Sequence, residues 1–373
     1  MRLRTLTLTL LGLSAFRPAF AQLETSIPTE AVNYKVLQDD PKDLNGVWLR
    51  VQPFTVDVMG MNAAVGSGLE GHWRTPWFGI ELHGGIRGNF INAFDLQRTA
   101  ALKGTGIMTQ ESKRENGSMI LTNSFTRFYT MELGASYPIL SKEIDGSSKI
   151  VVSESGTPGK TDFPEFIDVN SKVHQVIGVR LGFSAMASTV SLERAIEKQN
   201  LTLTGSAGTR LSNSGTFSPS GFQTSYNANA LFTNFHTAGF YLGGSLQRIK
   251  NITIKTDRQG ILGSNSIITY YADLILNPWT SLEQMKARKA VSGTEETFDL
   301  SGIGLNKVGG RLGFDIRYNQ QSYLSFGAEL GYRPAIQGQG WFGLVKLSIP
   351  TFSFGQKPGK VANNIGKNQS LSK

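Results

Sequence analysis

The clearest pattern in the sequence is an alternation of apolar and polar residues that runs through residues 308–349. In segments 308–318 and 324–332 the apolar residues fall at even positions, and glycines or polar residues fill the odd positions. A related alternation follows in segment 341–349. A period of two over about ten residues predicts a β-strand with one apolar and one polar face. Three such segments in succession predict an up-and-down antiparallel meander.

The two faces of this meander differ in composition. The polar face carries charges of both signs between glycines, and the apolar face begins and ends with aromatic residues. This combination is typical of a transmembrane β-barrel, which has a lipid-facing apolar band, aromatic girdles and a polar interior. A secreted soluble β-sandwich with one solvated face fits the same three segments. Other parts of the chain have to separate these two interpretations.

Earlier parts of the chain contain the same alternation, so we expect an all-β fold: a closed antiparallel up-and-down transmembrane β-barrel of about 12–14 strands. A change of phase at Pro53 predicts a β-bulge, since proline cannot donate a ladder hydrogen bond. Segment 191–199 fits a short helix or a strand, and segment 281–290 fits a short helical piece. The further predicted strands are 46–58, 63–74, 77–90, 125–137, 149–153, 173–186, 226–233, 238–247 and 267–276.

The N-terminus predicts export. Arg2 and Arg4 form a basic region, residues 6–16 form a short apolar region, and Ala19 and Ala21 form an A-x-A cleavage site. These are the parts of a secretory signal peptide, and the apolar region is too short to span a membrane as a helix. We therefore expect a signal peptide over residues 1–21, with cleavage after Ala21.

The remaining chain divides into three predicted parts. Residues 22–44 are polar and contain prolines, which predicts an N-terminal periplasmic arm. Residues 45–354 hold the alternating segments and form the predicted barrel. Residues 355–373 contain lysines without periodicity, which predicts a disordered basic tail. Residues 91–123 are polar and glycine-containing, and they predict a long external loop.

Composition excludes several classes of protein. The chain has no cysteine, so disulfides and thiolate metal sites are excluded. No later apolar run reaches the length of a membrane-spanning helix, whereas 42 glycines suit a barrel with alternating strands. The net charge of +9 is scattered rather than striped, and export makes nucleic acid an unexpected partner. Outer-membrane lipid and a small solute are the partners we expect.

Four histidines raise the question of a metal site. His72 and His83 lie on adjacent predicted strands, with Glu70 and Glu81 on the same polar faces. With the predicted four-residue turn at 74–77, His72 and His83 are not opposite each other on the two strands. The distance between them is then too large for both to bind one ion. We expect these histidines to join a hydrogen-bond network, and we expect no metal.

Motifs of catalysis are absent from the sequence. There is no nucleophile elbow, H-E-x-x-H motif, Walker A loop or complete G-x-G-x-x-G motif. We therefore expect no enzyme activity and no cofactor. The best-supported chemistry is a set of inward-facing polar side chains that would pair in a narrow barrel or line a channel in a wider one. The lumen-lining candidates are Glu70, His72, Glu81, His83, Arg87, Glu132, Arg180, Arg311, Asp315, Arg317, Glu329, Arg333 and Lys346.

The N-terminal sequence ending in AFAQ, the strands with glycine on the inner face, and the closing segment from Leu312 to Phe352 together resemble outer-membrane β-barrel proteins of Bacteroidetes-type bacteria. The resemblance is strongest in about the last 50 residues. It implies insertion by the barrel-assembly machinery, which reads an aromatic-ended last strand, and Phe352 and Phe354 could serve as that end. The tail after Phe354 departs from the usual ending at a terminal aromatic residue.

Location is therefore better defined than activity. We expect an outer-membrane barrel that acts as a passive channel or ligand-binding barrel without catalysis. The alternatives are a structural or adhesive barrel with a filled lumen, and a secreted soluble β-sandwich that binds a partner. The signal peptide, the missing cysteines and the repeated alternation favour the membrane barrel over the sandwich.

Overall fold

The computed structural model describes residues 33–59, 62–76, 79–92, 119–121, 128–154, 164–212, 215–217, 223–224, 232–257, 260–289, 292–318 and 324–354. The predicted signal peptide, the tail from residue 355, most of the predicted loop 91–123 and the turn after residue 318 lie outside these ranges. Within them, no helix is both long enough and apolar enough to cross a membrane.

Almost all regular structure in the described ranges is β-strand. The strands are β1 (Tyr34–Asp39), β2 (Gly46–Met59), β3 (Asn62–Arg74), β4 (Glu81–Asn92), β5 (Met119–Leu121), β6 (Tyr129–Glu154), β7 (Pro164–Ser191), β8 (Leu203–Thr204), β9 (Arg210–Ser212), β10 (Gly215–Phe217), β11 (Gln223–Thr224), β12 (Phe232–Thr256), β13 (Gly260–Leu282), β14 (Met285–Lys289), β15 (Glu295–Phe298), β16 (Leu305–Asn306), β17 (Val308–Tyr318), β18 (Ser325–Tyr332), β19 (Ala335–Ile336) and β20 (Trp341–Phe354). A 3₁₀ turn, η1, spans Pro41–Asp43, and the helix α1 spans Glu193–Gln199.

Ten of these strands close into an antiparallel up-and-down barrel. Their order follows the chain from β2 through β3, β4, β6, β7, β12, β13, β17 and β18 to β20, which pairs with β2 and closes the ring. The predicted fold class is confirmed. The expected count of about 12–14 strands is wrong, because among the described residues the ring contains ten.

The predicted strand number is too high because two long strands each appear in the sequence as two separate alternating segments. The predicted strand 149–153 is the far end of β6, which has 26 residues. Of the predicted strand 226–233 only residues 232 and 233 are described, and they belong with the predicted strand 238–247 to the single 25-residue strand β12. Alternation weakens where a strand leaves the barrel wall, so the pattern broke into short segments.

Strand tilt is visible in the register. Residues of one barrel strand pair with residues on the next strand. A path of such partners that starts at Gly46 runs once around the ring and returns to β2 at Met59, the opposite end of that strand. Such a stagger belongs to strands inclined to the barrel axis. The predicted bulge at Pro53 is confirmed by register shifts on both sides of β2. Both strands of the C-terminal hairpin are apolar at even positions, so facing residue numbers must sum to an even value, and the observed pair of Arg311 and Gly331 meets that condition.

One end of the barrel, here called the loop end, is covered by the connections that follow β7 and β13. Helix α1 agrees with the helical interpretation of segment 191–199. The helix predicted at 281–290 is wrong, because β13 continues to Leu282 and β14 pairs with β5 and β15. Twenty buried apolar residues from these connections and the nearby strand ends form one core across the mouth. We call this core the loop-end closure.

The opposite end, here called the terminal end, holds the N-terminal segment and the end of β20. Strand β1 pairs with β12, and η1 lies against β7 and β12. Leu44 enters the mouth and packs in an apolar cluster with Trp48, Val176, Ile249 and Ile267, which we call the terminal-end closure.

The hairpins β6–β7 and β12–β13 continue past the terminal end of the ring. They pack on each other through a separate apolar cluster formed by Ile150, Val169, Ile252 and Ile254. Asp39 of β1 accepts hydrogen bonds from the backbone N–H of Lys172, at 2.9 and 3.0 Å, and so ties the N-terminal segment to β7.

Candidate functional site: the charged barrel interior

The barrel interior carries the largest concentration of polar side chains in the described chain. All thirteen predicted lumen-lining residues are buried or half-buried, and twelve of them lie at inner positions of barrel strands, whereas Arg333 directly follows β18. They fall into two groups, separated along the barrel axis, and each group also contains residues that the sequence analysis did not single out.

The first group, the terminal-side cluster, comprises Glu70, Glu81, Asp315, Arg50, Arg317 and Lys346. Arg317 Nη1 donates to Glu81 Oε1 at 2.5 Å, and Arg317 Nε lies 3.5 Å from Asp315 Oδ2. Lys346 Nζ donates to Glu70 Oε2 at 3.0 Å and lies 3.9 Å from Asp315 Oδ1. Arg50 Nη1 lies 3.8 Å from Glu70 Oε1. Three carboxylates therefore face these three cations, and a fourth buried cation, Arg74, lies beside Glu81 and donates to Gln247 Oε1 at 3.2 Å.

The second group, the loop-side cluster, comprises Glu132, Asp273, Glu329, Arg87, Arg180 and Arg311. Arg311 donates to both oxygens of Glu132, at 2.8 and 2.7 Å, and its Nε donates to Asp273 at 2.8 Å. Arg180 Nε lies 3.3 Å from Asp273 Oδ1. Glu329 lies 3.5 Å from Arg311 and 3.9 Å from Arg87. Again three carboxylates face three cations.

This balance matters because a charge buried without a partner is costly, whereas a paired and hydrogen-bonded charge is tolerated. Arg333 and Asp57 form a further pair at 2.8 Å, nearer to the loop end. Matched pairs that fill the barrel interior suit a packed core more than a water-filled path lined by charges of one sign.

Two inward-facing tyrosines fill the space around the loop-side cluster. The Arg180 guanidinium lies 3.9 Å from the ring centroid of Tyr271, and the Arg311 guanidinium lies 4.7 Å from that of Tyr241. A methyl group at Gly134 would come within 1.9 Å of the Tyr241 hydroxyl. Glycine on the inner face is thus required where a large ring crosses the lumen.

The two lumen histidines are closer together than expected. His72 and His83 are direct partners in the β3–β4 register, and their rings stack with centroids 6.4 Å apart. The predicted turn at 74–77 is wrong, because Arg74 pairs with Glu81 and the connection runs from residue 75 to residue 80. The error arose because the alternation was extended through residues that belong to this longer turn.

Both histidines join the polar network. His72 Nδ1 lies 3.2 Å from Glu81 Oε1, and His83 Nε2 lies 2.7 Å from the Tyr241 hydroxyl. Glu70, His72 and Asp315 also come close enough together to share a cation. However, the Lys346 ammonium already contacts both carboxylates of this trio. We therefore assign these side chains to ion pairs rather than to a metal centre.

Small cavities remain within the described part of the interior, and two of them border the charged clusters. The larger, about 70 Å³, is lined by residues of both clusters and by Gln52, Ser136, Ser245 and Thr269. The smaller, about 50 Å³, lies between the loop-side cluster and apolar side chains of the loop-end closure such as Phe342. Arg87, Glu132 and Glu329 line both cavities. The two spaces are therefore neighbours within one charge-filled lumen.

Several residues of the interior were missed by the sequence analysis. Arg50 and Asp273 lie on the polar parity of β2 and β13, so the alternation could have identified both. Tyr241 and Tyr271 were missed because the predicted candidates were limited to charged residues and histidines. Trp48 was missed for the same reason, although only 1% of it is exposed.

The outer face of the barrel has the opposite composition. Large apolar side chains are exposed on all ten barrel strands, and they form a belt around the ring. They include Leu49, Phe54, Val58, Leu69, Trp73, Leu82, Ile86, Phe90, Tyr129, Met131, Leu133, Tyr137, Ile177, Leu181, Phe240, Leu242, Tyr270, Leu274, Leu276, Trp279, Leu312, Tyr318, Leu330, Trp341, Val345, Ile349 and Phe352. We call this surface the apolar belt.

At the terminal end, exposed charges hold the N-terminal segment in place. Lys42 of η1 lies 2.5 Å from the Glu143 carboxylate, and this hydrogen-bonded ion pair raises the pKa of Lys42 above its ordinary value. Asn251 Nδ2 donates to the backbone oxygen of Asp40 at 2.8 Å. These contacts anchor the terminal-end closure at its solvent side.

Comparison with known proteins adds little to this description. No protein-family model matches the sequence, and a search of curated proteins finds no match. Among solved structures, the deltaS2 mutant of the TodX monoaromatic hydrocarbon channel aligns with 83% of this chain and 91% of its own, at 11% identity and a TM-score of 0.24. A likeness at that score carries no argument about function.

Proposed function

We propose that the chain is an integral outer-membrane β-barrel whose lumen is filled and non-conducting, and whose loop end presents a folded cap to the outside. The single observation that carries the proposal is that the barrel strands expose an apolar belt on their outer face and bury ion-paired charges on their inner face. Exposed apolar surface of this extent is unfavourable in water, whereas lipid accommodates it.

Two features support a filled rather than an open lumen. The middle of the barrel is occupied by the two ion-paired clusters, and each end is covered by an apolar closure. A passive diffusion channel needs a continuous hydrated path, and its selectivity comes from the charges that line it. Of the interpretations open from the sequence, the structural or adhesive barrel with a filled lumen fits these features best.

A channel remains the second candidate, favoured by the two neighbouring cavities of about 70 and 50 Å³. To conduct, such a channel would have to displace both closures and separate Arg311 from Glu132. A conducting state would then appear only after the closures move, and the resting barrel would be shut. Catalysis forms no part of either candidate.

Partners follow from this proposal. Outer-membrane lipid would cover the apolar belt. The barrel-assembly machinery would insert the chain, reading the aromatic end of β20, where Phe352 and Phe354 are about 60% exposed and their rings stack at 6.5 Å. Substitution of both phenylalanines by serine is expected to lower the yield of assembled barrel in cells.

Membrane integration is tested by extraction. Membranes that carry the protein are washed with alkaline carbonate or urea and then with detergent, and the fractions are run on gels with and without boiling. We expect release only by detergent, and a shift of mobility on boiling. Release by carbonate alone would contradict integration of the barrel into a membrane.

A further inference from the structure

A titratable side chain borders the terminal-end closure. His174 lies on the inner face of β7, two residues before Val176 of the closure, and it pairs in register with Ile249, a second closure residue. Only 7% of His174 is exposed. Histidine is the side chain that ordinarily changes its charge between about pH 5 and pH 8, so this end of the barrel can respond to pH.

His174 sits where β7 leaves the ring. Its partner on β6 is Glu143, whereas β6 pairs with β4 only over Tyr129–Ser136. His174 also forms the last pair between β7 and β12, and beyond it β1 takes the place of β7 beside β12. The turn η1 lies against both β7 and β12. The N-terminal segment, which carries Leu44 into the mouth, is therefore held next to His174.

Charged groups of both signs face His174 from the elements packed around it. They lie on β3, on η1, on β6 and directly before η1, and they are Arg74, Lys42, Glu143 and Asp40. The two cations repel a protonated imidazole, and the two carboxylates attract it. Glu143, however, already lies 2.5 Å from Lys42 and 4.0 Å from Lys172. The carboxylate nearest in register is thus shared with other cations.

A protonated His174 would gain no new acceptor in the closed mouth. Arg74 is 4% exposed, and its Nε has no hydrogen-bond partner among the described residues, which is also true of His174 Nδ1. A buried charge without a partner is costly. Burial, together with the repulsion by Arg74 and Lys42, lowers the pKa of His174 below its ordinary value. The closed mouth therefore favours the neutral imidazole.

We propose that the terminal-end closure is a pH-sensitive gate, in which protonation of His174 repels the N-terminal segment and withdraws Leu44 from the mouth of the barrel. Because the closed form disfavours the charged imidazole, closure is complete above the pKa that His174 has in the open form. It weakens as pH falls below that value. The gate adds regulation to the filled barrel proposed above and rests on that proposal only for its consequence, access to the lumen.

The test uses the full-length barrel in detergent, and it exploits the absence of cysteine from the chain. Leu44→Cys places a single thiol where only 2% of the residue is exposed, and Ser353→Cys places one at an exposed position near the end of β20. Both are labelled with a dithiodipyridine reagent, which reacts with thiols from acidic to neutral pH. The ratio of the two rates removes the pH dependence of the labelling reaction itself.

We expect this ratio to rise about tenfold as pH falls from about 8 to about 5. A tenfold rise corresponds to a pKa of His174 that is about one unit lower in the closed form than in the open form. The rise should disappear in His174→Gln and should remain in the matched control His236→Gln, at an exposed position of β12. A ratio that does not depend on pH, or a rise that persists in His174→Gln, would overturn the gate.

A second pair of variants separates titration of His174 from loss of a tether, because Lys42→Gln and Glu143→Gln break the same surface ion pair. Lys42→Gln removes a repelling cation and should make the rise at acidic pH smaller. Glu143→Gln removes an attracting carboxylate and should make it larger. Changes in the same direction would overturn the role of His174. Labelling in detergent does not require a membrane, so the extraction experiment distinguishes failure of the outer-membrane proposal from failure of the gate.

Discussion

Two neighbouring residues of β18 occupy different environments. Glu329 points into the lumen, is 6% exposed and faces Arg311 and Arg87. Leu330 points outwards, and 54% of it is exposed. In a soluble protein the charged residue would face the solvent and the leucine would be buried. The inversion teaches that the barrel is organised for a surrounding solvent less polar than its own interior.

The two faces should therefore respond differently to the same kind of substitution. On the inner face a substitution lowers the free energy of unfolding by removing one partner of an ion pair, because the other charge then stays buried alone. On the outer face a substitution is expected to lower the free energy of unfolding when it places a charge against lipid. Substitutions in each face can break or sharpen this contrast.

The largest effect is expected for Arg311→Met. Arg311 donates two hydrogen bonds to Glu132 and one to Asp273, so its removal leaves three buried carboxylates against two cations. We expect the free energy of unfolding to fall by about 3–5 kcal/mol. Urea unfolding of the barrel in lipid vesicles, followed by tryptophan fluorescence, measures the change. Arg248→Met, at an exposed position of β12, is the matched control, and an equal loss in both variants would contradict the role of charge balance.

Leu330→Arg tests the outer face. An arginine near the midplane of a bilayer is expected to reduce the free energy of unfolding by about 2–4 kcal/mol. The same unfolding experiment in vesicles measures this change, and Leu330→Phe should cost little because the side chain stays apolar. A well-tolerated arginine at this position would mean that the apolar belt does not face lipid.

Glu329→Gln is a gentler change on the inner face. The side chain keeps its shape, and its nearest cations lie at 3.5 and 3.9 Å rather than in short hydrogen bonds. We expect a loss of about 1–3 kcal/mol, below that of Arg311→Met, because one buried group loses its charged partner. A larger loss than that of Arg311→Met would place the centre of the loop-side cluster at Glu329 instead.

The smallest effect is expected for Lys42→Ala at the terminal end. The pair between Lys42 and Glu143 is exposed to solvent, where such pairs contribute little. We expect no resolvable shift of the unfolding midpoint at neutral pH. The raised pKa of Lys42 means that any contribution is present at neutral pH and is lost as pH rises through that pKa. A clear loss of stability in this variant would show that the terminal-end closure depends on the surface pair.

The sequence predicts the fold class and the inner face well, and the reason is local. Side-chain direction in a strand follows from a period of two, so Arg311, Asp315 and Glu329 could be assigned inward without knowledge of their partners. The same parity restricts the register of the C-terminal hairpin, and the observed pair of Arg311 and Gly331 is one that it allows.

Partners and lengths could not be predicted in the same way, because they depend on residues far apart in the chain. Arg311 meets Glu132, which precedes it by 179 positions, and no local pattern encodes that contact. The length of the turn after Arg74 decided whether His72 would meet His83, and a sequence pattern does not fix turn length. Strand β6 runs on past the barrel wall, where its environment changes and its alternation fades.

The central claim, a membrane barrel with a filled lumen, is tested most directly by conductance. Purified protein is reconstituted into planar bilayers at neutral pH, and the current is recorded at single-channel resolution. The ion-paired clusters and the two apolar closures predict no current steps above the bare-membrane baseline. A steady ohmic conductance from the unmodified protein would contradict the filled lumen and would favour the passive channel.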